Sequence, residues 1–110
     1  PPRRADRGIP HRGGRGSPRA GWGRHGVTVN NLLPGPFETE RLAKTLEAGA
    51  RAAGVSAEAH YARRREANPA RRFGQPAEFG AVCAFLCSRQ AGYLNAQNIL
   101  LDGGAYPGTF

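Results

Sequence analysis

The chain contains no methionine, one tryptophan, one lysine (Lys44) and two cysteines, Cys83 and Cys87. Two cysteines cannot build the disulfide framework of a small secreted scaffold, so a reducing, cytoplasmic setting is expected. No apolar stretch approaches the roughly 18 residues of a membrane span, so no membrane partner is expected. The opening Pro1-Pro2-Arg3-Arg4 has no apolar run behind it and does not read as a signal peptide. Acidic residues are scarce, eight against 16 Lys and Arg, which gives a formal charge of +8. A length of 110 residues leaves room for one domain with a marginal core.

That charge is uneven. Residues 1–25 hold seven Arg and one Asp, whereas residues 26–110 hold nine Lys or Arg and seven Asp or Glu. The head also carries six Gly and four Pro, and its large apolar residues are Ile9 and Trp22. No period runs through it, so it cannot bury enough apolar surface to offset chain entropy, and residues 1–25 are expected to be disordered. Interleaved Arg and Gly with Trp22 would suit a nucleic-acid tail. A small basic nucleic-acid-binding protein is therefore the alternative reading of the whole chain, and the less favoured one. Gly21-Trp22-Gly23-Arg24-His25-Gly26 fits a phosphate-loop pattern. It follows a coil and leads into a strand, which is the wrong context for that chemistry.

Residues 27–39 are the organising stretch. Val27, Thr28 and Val29 are β-branched and predict a strand, which Pro34-Gly35 terminates. The run Val-x-Val-Asn-x-x-x-Pro-Gly-x-x-x-Thr resembles the sixth strand of the short-chain dehydrogenase/reductase family and the loop after it. Asn30 and Asn31 are expected to bond neighbouring backbone at the strand end.

Thr39 predicts a helix cap, with Leu42 and Leu46 on one face and Gly54 ending the segment. Ser56 caps a second helix that Asn68-Pro69 stops near residue 67. In the resembled family this region is a mobile flap over the substrate. His60 and Tyr61 could face a substrate there, but a plain surface pair is the preferred reading. Arg63-Arg64-Arg65 reads as a solvated helix face rather than a site for an acidic carrier or phosphate.

Arg72-Phe73-Gly74-Gln75-Pro76-Ala77-Glu78 resembles the family's Arg-x-Gly-x-Pro-x-Glu turn. Independently, Pro76 suits the first helical position and Glu78 the positive first turn. Phe79, Val82, Cys83, Leu86 and Cys87 fall on a helical stripe that predicts burial, cysteines included, with no metal site. Ile99, Leu100 and Leu101 predict a covered parallel strand, and Asp102-Gly103-Gly104 a turn. The family equivalent is a Tyr-Ile-Thr-Gly-Gln loop, a seventh strand and a terminal Asp-Gly-Gly. Asn95 and Ala96 replace the usual Thr and Gly, which puts the tightness of that turn in question.

The resemblance spans residues 26–110. It implies an α/β fold, specifically the C-terminal fragment of a doubly wound Rossmann-type parallel sheet with two strands and about three helices behind a disordered head. It implies an NAD(P)-dependent oxidoreductase that moves hydride between a carbonyl and an alcohol, with a tail resembling 3-oxoacyl-acyl-carrier-protein reductases. Its substrates would be small molecules or acyl thioesters. Pro34, Gly35, Phe37 and Thr39 are the residues the resemblance assigns to the cofactor, NAD or NADP. The family's catalytic Ser and Tyr-x-x-x-Lys have no counterpart here, because none of Tyr61, Tyr93 and Tyr106 has Lys four residues on. The chain by itself is thus expected to bind no cofactor, to be inactive, and to self-associate. An interaction module that docks on full-length relatives is a third reading. Where the catalytic helix would precede the strand, the chain has Gly, Pro and Arg. Residues 1 to roughly 20–24 are accordingly expected to be out of frame or to follow a misplaced start, which the upstream DNA in the other two frames would test.

Overall fold

The computed structural model describes residues 18–108. The expected disorder of residues 1–17 lies outside them. Residues 18–25, placed in the structureless head by composition, instead form a short helix α1 (Pro18–Gly23) and the start of a turn that Gly26 completes. Proline is at home at a helix start, and the turn closes through His25 N–H to the Trp22 carbonyl at 2.9 Å and Gly26 N–H to the Gly23 carbonyl at 3.1 Å.

Strand β1 is Asn31–Pro34, not residues 27–34. Val27 and Val29 are 48% and 37% exposed. A strand needs a ladder, and residues 27–30 have none. They are pinned by a loop instead, through Val29 N–H to Asn95 Oδ1 at 2.9 Å and Ala96 N–H to the Val29 carbonyl at 2.8 Å. Ala96 takes φ +61° there, so the tight turn survives without its glycine.

Strand β2 (Asn98–Leu101) lies parallel to β1, with Asn31 opposite Asn98 and Pro34 opposite Leu101. Asn30 ties the strand entrances together as expected, donating from Nδ2 to the Leu94 carbonyl and accepting from Gln97 N–H, each at 3.0 Å. Asn31 differs from expectation. Its Nδ2 donates to the Asn98 side chain at 2.8 Å rather than to backbone, because the register sets Asn98 directly opposite.

Between the strands run helices α2 (Glu40–Ala53), α3 (Ala57–Ala67) and α4 (Pro76–Leu86). Thr39 and Ser56 cap α2 and α3 through side-chain oxygens, and Gly54 ends α2 at φ +68°. Helices α2 and α3 form a hairpin that buries Leu46 and Ala50. The His60 ring packs over Gly49, where a Cβ would sit 2.6 Å from His60 Nε2. His60 is therefore a packing residue and not half of a surface pair.

Helix α4 is apolar nearly all round, with Glu78 its one charged residue. Such a helix belongs inside a larger body, and only part of it is covered. Phe79, Val82 and Leu86 are half-buried, while Phe85 is 50% exposed. Cys83 and Cys87 are exposed, against the expected burial. The stripe is real, but the described elements cover only its Phe79–Val82–Leu86 side. Residues Arg89–Ala91 form one 3-10 turn before β2. The buried hydrophobic residues are Leu46, Ala50, Phe73 and Ala91, a thin core. Among the described residues no helix is long and apolar enough to cross a membrane.

Candidate functional site

The loop leaving β1 carries Pro34, Gly35, Phe37 and Thr39, and all four line one open cleft of about 510 Å³ with Pro36, Arg41, Leu42 and Thr45. The cleft sits at the C-terminal end of β1, where open α/β sheets bind their ligands. Three local contacts fix its walls. A Cβ at Gly35 would lie 2.7 Å from both Cα and Cβ of Asp102, so glycine is needed for the loop to pass the end of β2. A Cβ at Gly74 would lie 2.6 Å from the Phe37 ring, which packs there edge-on to Phe79 at 5.6 Å.

Phe37 forms a parallel bridge with Gly74. The bonds of that bridge run from Gly74 N–H to the Pro36 carbonyl at 3.0 Å and from Glu38 N–H to the Gly74 carbonyl at 2.8 Å. The residues flanking Phe37 are thus spent on Gly74, and Phe37's own N–H and C=O point the other way. Thr39 Oγ1 accepts from Leu42 N–H at 3.2 Å, which leaves its hydroxyl proton for another acceptor. The site residues therefore offer one main-chain donor, one main-chain acceptor and one hydroxyl donor along a short stretch of loop.

Two supports behind the cleft were not legible in the sequence. Tyr61 donates from its hydroxyl to Glu38 Oε1 across 23 positions. The ring of Tyr61 stands edge-on to Phe73 at 5.1 Å, with the Arg65 guanidinium 5.8 Å from its centroid. This hydrogen bond to Glu38 raises the Tyr61 pKa, helped by burial and by the nearby carboxylate charge, while Arg65 opposes it. Glu38 sits between Phe37 and Thr39 in the chain, so the contact ties the flap helix α3 to the cleft wall. A second cavity of about 390 Å³ lies between α2 and α3 behind this tie, lined by Leu42, Leu46, Tyr61 and Arg65 among others.

The second support is Arg72. Its guanidinium meets Glu78 in a two-pronged pair at 2.6 and 2.9 Å. Glu78 also accepts from the Gln75 N–H at 3.0 Å, closing the first turn of α4. These donors hold the Glu78 carboxyl at about 2, well below the usual range. Sequence spacing placed Glu78 in the first turn but gave no sign of the Arg72 fork.

Of the other polar groups, Lys44 and Tyr93 do not line the cleft, and Asp102 borders it beside Gly35. Lys44 pairs with Glu40 on the surface of α2 at 3.4 Å. Tyr93 is fully exposed. Asp102 holds the C-terminal turn, accepting from Gly104 N–H at 2.9 Å and Tyr106 N–H at 2.8 Å. No cluster of three or more potential metal ligands occurs among the described residues.

The family model described as enoyl-(acyl carrier protein) reductase matches residues 20–106, the strand, flap and closing turn included. This chain belongs to the short-chain dehydrogenase/reductase family. The match begins within the head, consistent with α1 starting before residue 26. The chain is similar to gluconate 5-dehydrogenase of Gluconobacter oxydans, 35% identical over 83 residues that make up 76% of this chain and 29% of that protein. It is 36% identical over 81 residues to a 3-oxoacyl-[acyl-carrier-protein] reductase of Vibrio harveyi, covering 74% of this chain and 29% of that one. Among solved structures it superposes on the NADPH-dependent reductase YwfH of bacilysin biosynthesis with a TM-score of 0.73 and 29% identity, over 82% of this chain and 34% of that one. An actinorhodin polyketide ketoreductase with NADPH gives 0.73 and 31%, over 79% and 33%. The chain thus spans about a third of the length of these relatives. Members of the short-chain dehydrogenase/reductase family are NAD(P)-dependent oxidoreductases, and this chain carries the C-terminal part of their Rossmann-type fold.

Proposed function

We propose that this chain supplies the nicotinamide end of an NAD(P) site for hydride transfer between a carbonyl and an alcohol, and that by itself it does not turn over substrate. One observation carries the reading: Pro34, Gly35, Phe37 and Thr39 line a single cleft in which the Phe37 peptide groups and the Thr39 hydroxyl are left for a ligand. A carboxamide has one carbonyl acceptor and one NH₂ donor. The Phe37 N–H and C=O, or the Thr39 hydroxyl in place of the N–H, match both. Holding the ring by its amide would present one face of it to the substrate and orient it for reaction.

The rest of the reaction asks for groups this chain does not offer in that arrangement. A carbonyl being reduced needs a proton donor at hydrogen-bond distance with a suitable pKa. Tyr61 is the half-buried tyrosine nearest this loop, and its proton is committed to Glu38. The substrate class follows from the relatives: a small hydroxy or oxo compound, or a 3-oxoacyl thioester. The compartment we assign is the cytoplasm.

The test is a chimera in which the matching segment of the Vibrio harveyi reductase is replaced by residues 26–108 of this chain. NADPH binding is followed by fluorescence. We expect binding to be retained, and Thr39→Ala to weaken it roughly tenfold, the loss of about one hydrogen bond. A chimera that folds but binds NADPH equally well with and without Thr39→Ala removes Thr39 from the site.

A further inference from the structure

Residues 26–110 hold seven acidic side chains, and five of them are engaged. Glu38 accepts from the Tyr61 hydroxyl, Glu40 pairs with Lys44, Glu66 with Arg71 and Glu78 with Arg72. Asp102 accepts the N–H groups of its own turn. Glu47 and Glu58 are the two without an ion pair or side-chain hydrogen bond among the described residues. One stands on α2 and the other on α3, and both line the cavity of about 390 Å³ between those helices.

The rest of that lining is an apolar floor and an occupied corner. Leu42, Ala43, Leu46 and Ala62 supply the floor, with Leu46 the buried one. At the corner the Arg65 guanidinium stands 5.8 Å from the Tyr61 ring centroid, and the Tyr61 hydroxyl is committed to Glu38. Three carboxylates against one guanidinium leave the lining net negative, in a chain whose formal charge is +8. Glu47 and Glu58 are exposed, so they meet an occupant from the solvent side and Leu46 meets it from below. The volume falls in the range of small-molecule sites, roughly 300–1,000 Å³.

The donor set narrows the occupant to an organic cation. Calcium and magnesium ask for about six or more oxygens, and no cluster of three or more potential metal ligands occurs among the described residues. An ammonium brings three rotatable donors for two carboxylates. An attached apolar body covers the floor that a bare ion would leave in water.

We infer that the cavity between α2 and α3 binds a primary ammonium carrying an apolar alkyl or aryl body, with the head between Glu47 and Glu58 and the body on Leu42, Leu46 and Ala62. The site lies apart from the cofactor cleft and does not rest on the cofactor reading. Thr39 and Leu42 line both spaces, which therefore share one wall.

The experiment titrates the full chain with n-octylammonium and follows the methyl resonances of Ala43, Leu46 and Ala62. Octanol, octanoate and methylammonium are the comparisons. We expect saturable shifts at these methyls and an affinity roughly fivefold above that of octanol, the worth of two exposed ion pairs. Octanoate should bind more weakly than octanol, and methylammonium should have no effect. High salt should erase the preference for the ammonium. Glu47→Gln combined with Glu58→Gln should bring octylammonium down to the affinity of octanol. Ala43→Phe, which fills the space, should abolish binding of both. Helical circular dichroism checks each variant, and if one does not fold, the head-group comparison on the unaltered chain decides. No saturable binding, equal binding of octanol and octylammonium, or a double variant that keeps the preference would overturn the inference. So would shifts that fall on Val82 and Phe85 of α4 instead of the cavity methyls.

Discussion

Asn68 and Asp102, 34 positions apart, are joined by one buried side chain: Asn68 Nδ2 donates to the Asp102 carbonyl at 3.0 Å. The same amide accepts from Ala70 N–H through Oδ1 at 2.9 Å. Asn68 is 7% exposed, the one buried polar residue among those described. It ends α3 and clamps the turn after β2, so it fixes the flap to the sheet. Removing it takes the partner from the Ala70 N–H and leaves the Asp102 carbonyl only the longer bond from Ala105 N–H at 3.4 Å. Asn68→Ala should destabilise the chain by about 2 kcal/mol, read as a lower urea midpoint. Asn68→Asp keeps the acceptor for Ala70 but sets a buried carboxylate oxygen against the Asp102 carbonyl, so it should cost at least as much.

Ala96 sits at φ +61°, a conformation that places a Cβ against its own carbonyl and costs an L-residue about 1–2 kcal/mol. Ala96→Gly should relieve that strain and stabilise the chain by about 1 kcal/mol. Its N–H bond to Val29 should persist. A lower midpoint in the glycine variant would show that the turn is unstrained.

Glu78 supplies the pH dependence. Its carboxyl is lowered from an ordinary 4.5 to about 2 by Arg72 first and the Gln75 N–H second. A depressed carboxylate stabilises the fold above its unfolded pKa, and that contribution is lost as pH falls through the folded value. The unaltered chain should therefore be more stable than Glu78→Gln at pH 6. The difference should shrink between pH 4.5 and about 2 and vanish below. The pair is exposed, so the gap should narrow in high salt. Parallel pH profiles for the two proteins would contradict the Arg72 fork.

The bare side of α4 predicts association. Phe85, half exposed, lies on one flank of the covered Phe79–Val82–Leu86 side and the open Cys83 and Cys87 thiols on the other, exposed apolar surface of the kind that sticks. Light scattering should give masses above the 11.7 kDa monomer. The two thiols should react more slowly with a disulfide reagent as concentration rises. Phe85→Lys should shift the population toward monomer.

The chain alone should give no NADPH fluorescence enhancement and no turnover of a 3-oxoacyl thioester. Three loop contacts are too few to offset the entropy of association. Turnover that vanishes with Thr39→Ala would establish a minimal site and overturn this expectation.

Local signals carried most of the fold. Thr39, Ser56, Gly54 and Pro76 punctuate the helices because capping is decided within a few residues. The turn after β1 was legible for the same reason, since Pro-Gly and Thr act on their own neighbourhood. What was not legible depends on partners distant in sequence. Val27 and Val29 have strand chemistry but no strand beside them. Cys83 and Cys87 lie on a buried-type stripe whose cover is not among the described elements. Glu38 and Tyr61 meet only because α3 folds back on α2, and no spacing rule links positions 38 and 61. The helix at Pro18–Gly23 was hidden by a composition that argues for disorder.

Thr39 holds two offices at once. Its oxygen caps α2 by accepting from Leu42 N–H, and the residue that carries the hydroxyl lines the cleft. A ligand that takes the hydroxyl proton leaves the helix intact, whereas one that donates to the oxygen competes with the cap. In the proposed site, ligand choice and helix integrity would thereby meet at a single atom. Thr39→Ala removes both and should weaken the flap by about 1 kcal/mol whatever binds. Thr39→Asp keeps the cap and has no proton to give. The difference between the two variants isolates the hydroxyl's part in recognition from its part in holding the flap.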